Sequence, residues 1–160
     1  MTLSNQQVLA FDFGTRRIGI ATGQPATETT LALPPIIARD GTPDWPALDK
    51  TIKEWQPATL VVGIPLNMAG SISEMARRAR RFANRIQDRY PIPCYLVDER
   101  LSTAEAKEFH FSQGGGTNFR KESVDGLAAQ IILESWFGST LRIPSHTRLE
   151  SLYDIGNTEC

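Results

Sequence analysis

Three β-type runs precede any helical one in this chain, and from there helical and strand periodicities alternate. That order restricts it to an α/β sheet of mixed strand direction. Val8–Phe13 is a short apolar run with one acid, Asp12, inside it. Gly14-Thr15 turns the chain, and Ile18–Ala21 resumes as a hairpin partner. Leu31–Ala38 supplies the third strand, and Pro34-Pro35 marks it as an edge, because proline has no N–H to give a ladder. Thr42-Pro43-Asp44 opens a helix with its prolines in the first turn and a buried stripe of Trp45, Leu48, Ile52 and Trp55. Leu60–Ile64 is a buried strand that runs into a loop over 65–70. Ser71-Ile-Ser-Glu74 reads as a capping box for a helix over 72–90, with Ile72, Met75, Ala76, Ala79, Phe82, Ala83 and Ile86 facing inward. Cys94–Val97 is the next strand. A helix capped by Ser102 or Thr103 is expected to about Phe111, then a glycine-rich loop over 113–117, then a last apolar helix from Ser123 to about Phe137.

At roughly 100–200 residues per domain, 160 residues make one domain. We place it at 1–138, with 139–160, polar and aperiodic, as a surface extension. No apolar run reaches the roughly 18 residues of a membrane span, and the N-terminus has neither the basic nor the apolar region of a signal peptide. Cys94 and Cys160 form no metal or redox motif. A cytoplasmic, disulfide-free protein without membrane contact is expected.

The 17 basic residues nearly balance the 18 acidic ones, so no global field announces a polyanion. Locally the picture changes. Arg77, Arg78, Arg80, Arg81, Arg85 and Arg89 face only Glu74 and Asp88 within 71–90. Arginine grips phosphate through two hydrogen bonds where lysine offers a point charge. This face reads either as solvated surface or as a local phosphate contact through Arg77, Arg81 and Arg85.

Three acids stand apart by position. Asp12 interrupts an apolar strand, Glu99 follows Asp98 at the end of another, and Asp125 lies in the first turn of the last helix. Ionised carboxylates are costly to bury and repel one another unless a cation pairs with them. Gathered at one sheet edge they suit Mg²⁺ or Mn²⁺, hard ions that take oxygen ligands. Two such ions about 3.5–4 Å apart can clamp the attacking water and leaving oxygen of a phosphodiester. Taken singly, Asp125 also reads as an acid favoured by the helix dipole, and Glu99 as an ion pair with Arg100. The sequence holds no G-x-S-x-G, H-E-x-x-H or G-x-x-x-x-G-K-[ST].

Four ordered motifs carry a family resemblance: Asp12-Phe-Gly-Thr-Arg-Arg-Ile-Gly-Ile-Ala21, Val62-Gly-Ile-Pro-Leu-Asn67 with Gly70, Asp98-Glu-Arg-Leu-Ser-Thr103, and Lys121 with Val124-Asp-Gly-Leu-Ala-Ala129. Together they resemble the YqgF/RuvX family, bacterial RNase H-like proteins described as Holliday junction resolvases and as nucleases maturing the 5′ end of 16S ribosomal RNA. The resemblance spans about residues 8–138. It implies a five-stranded mixed sheet, its first three strands antiparallel, with helices on both faces. It also implies that Asp12, Glu99 and Asp125 are catalytic, metal-binding acids. Arg100, Ser102 and Thr103 would orient Glu99 and hold the substrate backbone. Thr15 and Arg16 sit beside the first acid, Lys121 shortly before the third, and Asn67 would position a phosphate or a water. The N-x-x-G loop, Asn67-Met-Ala-Gly70, lacks the acidic or amide residue often found before that glycine.

The expected function is a Mg²⁺- or Mn²⁺-dependent endonuclease, a hydrolase of phosphodiester bonds acting in ribosome biogenesis on the 5′ end of pre-16S rRNA. The alternatives are a Holliday junction resolvase on branched DNA and a nucleic-acid-binding or transcription-associated factor with little catalysis. The partner is nucleic acid, and the protein itself a monomer or weak homodimer. Asp-x-Gly-Thr also occurs in actin-like kinases, which need two such domains to enclose ATP; 160 residues are too few for both.

Overall fold

The computed structural model describes residues 6–67, 69–101 and 121–158, the side chains of 101, 121–125 and 154–158 lying outside that description. The first three strands, β1 (Val8–Asp12), β2 (Arg17–Gln24) and β3 (Thr29–Arg39), form an antiparallel meander. A two-residue β4 (Thr42–Pro43) pairs with the end of β3 and leads into α1 (Trp45–Trp55). Then follow β5 (Thr59–Ile64), α2 (Glu74–Arg89), β6 (Cys94–Asp98) and a 3₁₀ turn over Glu99–Leu101. Last come α3 (Lys121–Phe137), a two-residue β7 (Ile143–Pro144) and α4 (Leu149–Thr158). β5 lies parallel to β1, and β6 parallel to β5. The predicted helix from Ser102 and the loop over 113–117 lie outside the described residues.

Among the described residues the sheet has seven strands, in the order β4-β3-β2-β1-β5-β6-β7, rather than the five expected. The excess is β4 and β7, each two residues long and each ending in a proline. Two residues are too few for a period of two to be visible in a sequence.

Pro34 and Pro35 shape the meander. Ile18 pairs with Ile36 and Ile20 with Leu33, so the two prolines together oppose Gly19 alone, a β-bulge. The extra residue shifts the alternation of β3, so that Leu33, Ile36 and Ala38 all enter one core. Gly19 pairs on its other side with Asp12, which places the bulge next to that acid.

The sheet separates two apolar layers. Leu9, Phe11, Leu60, Val62 and Leu96 pack with α1 and α2, through Leu48, Ala79, Phe82 and Ile86. Val8, Ala10, Ala21, Val61 and Val97 pack with α3, through Ala129, Ile132, Leu133 and Trp136. Small residues bring α3 close. Ala10, Ala21 and Ala32 stand in one row across three strands, and a Cβ on Gly126 would lie 2.5 Å from the Ala32 methyl.

Two helix starts differ from expectation. The α2 cap is Ser73, which accepts from the Ala76 amide at 3.0 Å. Ser71 is bound instead to Asn67, so the helix begins at Glu74, and Met75 is exposed rather than inward. Thr42-Pro43 forms β4, and Asp44 caps α1. Residues 139–158, expected as an aperiodic surface extension, place β7 against β6 and bury Leu149 and Leu152 in the α1–α2 layer.

Candidate active site

Because β1, β5 and β6 run parallel, their C-terminal ends meet at one edge of the sheet. Phe11 pairs with Val62 and Gly63 with Val97, so Asp12, Gly63 and Val97 stand in one row. Side chains alternate along a strand. Val8 and Ala10 face α3, and so therefore does Asp12, the last residue of β1. Glu99 opens the 3₁₀ turn beyond β6 and reaches the same face: a Cβ on Gly63 would stand 3.0 Å from Glu99 Oε2 and 2.4 Å from Ile132 Cδ1. Any side chain at Gly63 would collide with Ile132 and press on the half-buried Glu99 carboxylate, while Asp12, also half-buried, stands on the neighbouring strand.

Asp98 takes the opposite face, only 5% exposed. Its carboxylate accepts from Arg100 Nε at 3.1 Å, from the second guanidinium nitrogen at 2.7 Å and from the Arg100 amide at 2.9 Å. A buried carboxylate with three such donors is satisfied as a structural anchor, which separates it from the Glu99 side. Arg100 also donates to Leu152 O at 3.3 Å and lies 4.4 Å above the Tyr153 ring. The hydrogen bond it donates to Asp98 raises the guanidinium's already high pKa. Arg100 is thus held by Asp98, Leu152 O and the Tyr153 ring, on the turn that carries Glu99.

Asn67 is likewise engaged within its loop. Its amide nitrogen donates to Ser71 Oγ at 2.9 Å, and its amide oxygen accepts the Ser71 N–H at 3.2 Å. Tyr153 from α4 closes the arrangement, its hydroxyl reaching Asn67 O at 3.2 Å and Ser71 O at 2.9 Å. One aromatic ring thus ties the β5–α2 loop to the turn after β6.

Thr15 and Arg16 lie in the β1–β2 turn directly after Asp12. Their carbonyls accept from the Gly41 and Ala38 amides at 2.9 and 2.8 Å, and the Arg16 side chain is exposed. Lys121 and Asp125 fall in the first turns of α3, where the backbone alone is described. Ser102 and Thr103 lie outside the described residues. Among the described residues no three His, Cys, Asp or Glu side chains gather as a metal site.

The arginine face is elsewhere. Arg77, Arg81 and Arg85 are exposed on α2, which packs on the sheet face opposite α3. Arg85 sits 5.3 Å from the Trp45 ring centre. The structure therefore separates these arginines from Asp12 and Glu99 by the thickness of the sheet. Cys94 is buried, which pushes its thiol up to about 12 and removes it as a nucleophile at neutral pH.

Sequence reasoning missed Gly63 and Tyr153. The first carried a signal, a glycine inside an apolar strand; the second carried none.

The family described as "RuvX: Holliday junction resolvase" matches residues 6–139. Proteins of Yersinia pestis (strain Pestoides F) and Yersinia pseudotuberculosis (serotype O:1b, strain IP 31758), each named "Putative pre-16S rRNA nuclease", are 52% identical over 135 residues, 84% of this chain and 96% of theirs. In fold the chain is similar to Thermus thermophilus RuvC bound to a Holliday junction substrate (TM-score 0.56, 12% identity, 88% of this chain and 99% of that one) and to RuvC alone (TM-score 0.51, 10% identity, 87% and 99%).

Proposed function

We propose that this chain, which belongs to the RuvX family, is a nuclease that hydrolyses phosphodiester bonds at the C-terminal edge of its parallel strands, with the 5′ end of pre-16S rRNA as substrate. The observation that carries the reading is that Asp12 and Glu99 stand on one sheet face, at the strand ends on either side of Gly63. The 52% identity to proteins named for pre-16S rRNA supports RNA over a branched DNA junction.

The donor set suits a divalent cation. Asp12 and Glu99 offer carboxylate oxygens, the ligands Mg²⁺ and Mn²⁺ prefer. Asp125, on the helix that covers this face, is proposed as the third ligand. When bound, such an ion supplies Lewis acidity to a phosphoryl oxygen and lowers the pKa of a coordinated water. The chain's own part is placement. Arg100 on Asp98 fixes the turn that aims Glu99. The strand ladder fixes Asp12 opposite Gly19. Thr15, Arg16, Ser102, Thr103 and Lys121 are proposed to contact the backbone near the acids.

Cleavage of labelled precursor 16S 5′-end RNA and of a four-way DNA junction, each with Mg²⁺, Mn²⁺ or EDTA, tests the reading. RNA should be cut only with metal, and Asp12→Asn should lower the rate by about a hundredfold or more, since lost charge stabilisation of several kcal/mol costs a decade per 1.36 kcal/mol. Intact RNA with undiminished binding would favour the nucleic-acid-binding factor; cutting of the junction alone would favour the resolvase.

A further inference from the structure

The C-terminal segment folds back along α2, and between them lies an open groove of about 450 Å³. Arg77, Arg80, Arg81 and Asn84 line it from α2, and Arg148 and Glu150 from the segment. Two of these hold the segment in place. Arg80 donates to Thr147 O at 2.6 Å and His146 O at 2.7 Å, and Asn84 donates to Ser145 O at 3.2 Å. Arg77, Arg81 and Arg148 make no side-chain hydrogen bond or ion pair among the described residues. Among the described residues Glu150 is the one acid on the lining, which gives them a net charge of +3. Arg81 also borders a second cleft of about 240 Å³ with Arg78 and Arg85, in which Asp40 pairs with Arg78 at 3.0 Å.

We propose that this groove, built jointly by α2 and the C-terminal segment, is an anchoring site for the phosphodiester backbone of RNA on the layer opposite Asp12 and Glu99. Like charges held together repel, and a chain of phosphates relieves that repulsion with release of its counterions. Arginine forks match phosphate oxygens in pairs. Among the described residues the lining offers no aromatic ring on which a base could stack, so the groove holds the backbone independently of sequence. Residues 140–158, with Arg148, lie beyond the family match. The inference rests on the nucleic-acid reading above, extending it to a substrate long enough to pass around the sheet edge.

The test is binding of labelled precursor RNA across a salt series by the full chain carrying Asp12→Asn, so that cutting does not consume the ligand; wild-type cleavage is run beside it. Adding Arg77→Ala, Arg81→Ala and Arg148→Ala should flatten the slope of log K against log salt by about 0.7–0.9 for each phosphate no longer neutralised. Glu150→Gln, a variant that leaves every arginine in place, should tighten binding by about two- to fivefold, the size of a partly exposed charge contact. An unchanged slope with circular dichroism intact overturns the groove. Displacement of RNA by inorganic phosphate at matched ionic strength overturns the backbone assignment in favour of a simple anion site. Absence of wild-type cleavage alongside a flattened slope would count against the nuclease alone.

Discussion

A methyl group at position 63 would stand 2.4 Å from Ile132 Cδ1, 2.9 Å from its Cγ1 and 3.0 Å from Glu99 Oε2. Gly63→Ala is therefore expected to cost about 1–3 kcal/mol by overpacking, read by urea titration, and to slow cleavage by displacing Glu99. Tyr153→Phe keeps the ring beneath Arg100 and removes the two bonds to Asn67 O and Ser71 O. We expect a loss of about 0.5–1.5 kcal/mol, with kcat falling more than KM rises as the loop beside the acids loosens. Asp12 is legible in the sequence because a charge inside an apolar strand breaks the strand's own pattern. Tyr153 is not, because its role depends on carbonyls 82 and 86 residues away.

Helices α1 and α2 are pinned by Asp49, which accepts from Arg89 at 2.7 and 2.8 Å and from the Tyr90 hydroxyl. Those hydrogen bonds, Arg89's first, hold the carboxyl down to about 2 against its ordinary 3.8. A depressed acid contributes stability that is complete above about pH 4 and is lost as pH falls toward 2. The stability gap between wild type and Asp49→Asn should close across that window, measured by urea titration at successive pH values. At this scale the five long strands were readable, since each is an apolar run bounded by turn residues. The helix of 149–158 was not: its two buried leucines are one turn apart, and a single turn sets no period. Nor was the bulge, which needs Gly19 and Pro34-Pro35 seen side by side.

The molecule as a whole depends on its last twenty-two residues more than their composition suggests. Ending the chain after Gly138 would remove β7 from the sheet and Leu149 and Leu152 from the core. The expected cost is at least about 2–5 kcal/mol, that of one buried leucine, seen as a lower urea midpoint. The sheet's order carries a further consequence. Pro34, Pro35 and Pro43 interrupt one outer margin, and Pro144 sits on the other. A strand from a second molecule would meet missing N–H donors at both margins, so the sheet resists serving as a template for fibrils. Molecules crowded together during synthesis are thus less prone to join edge to edge at these margins.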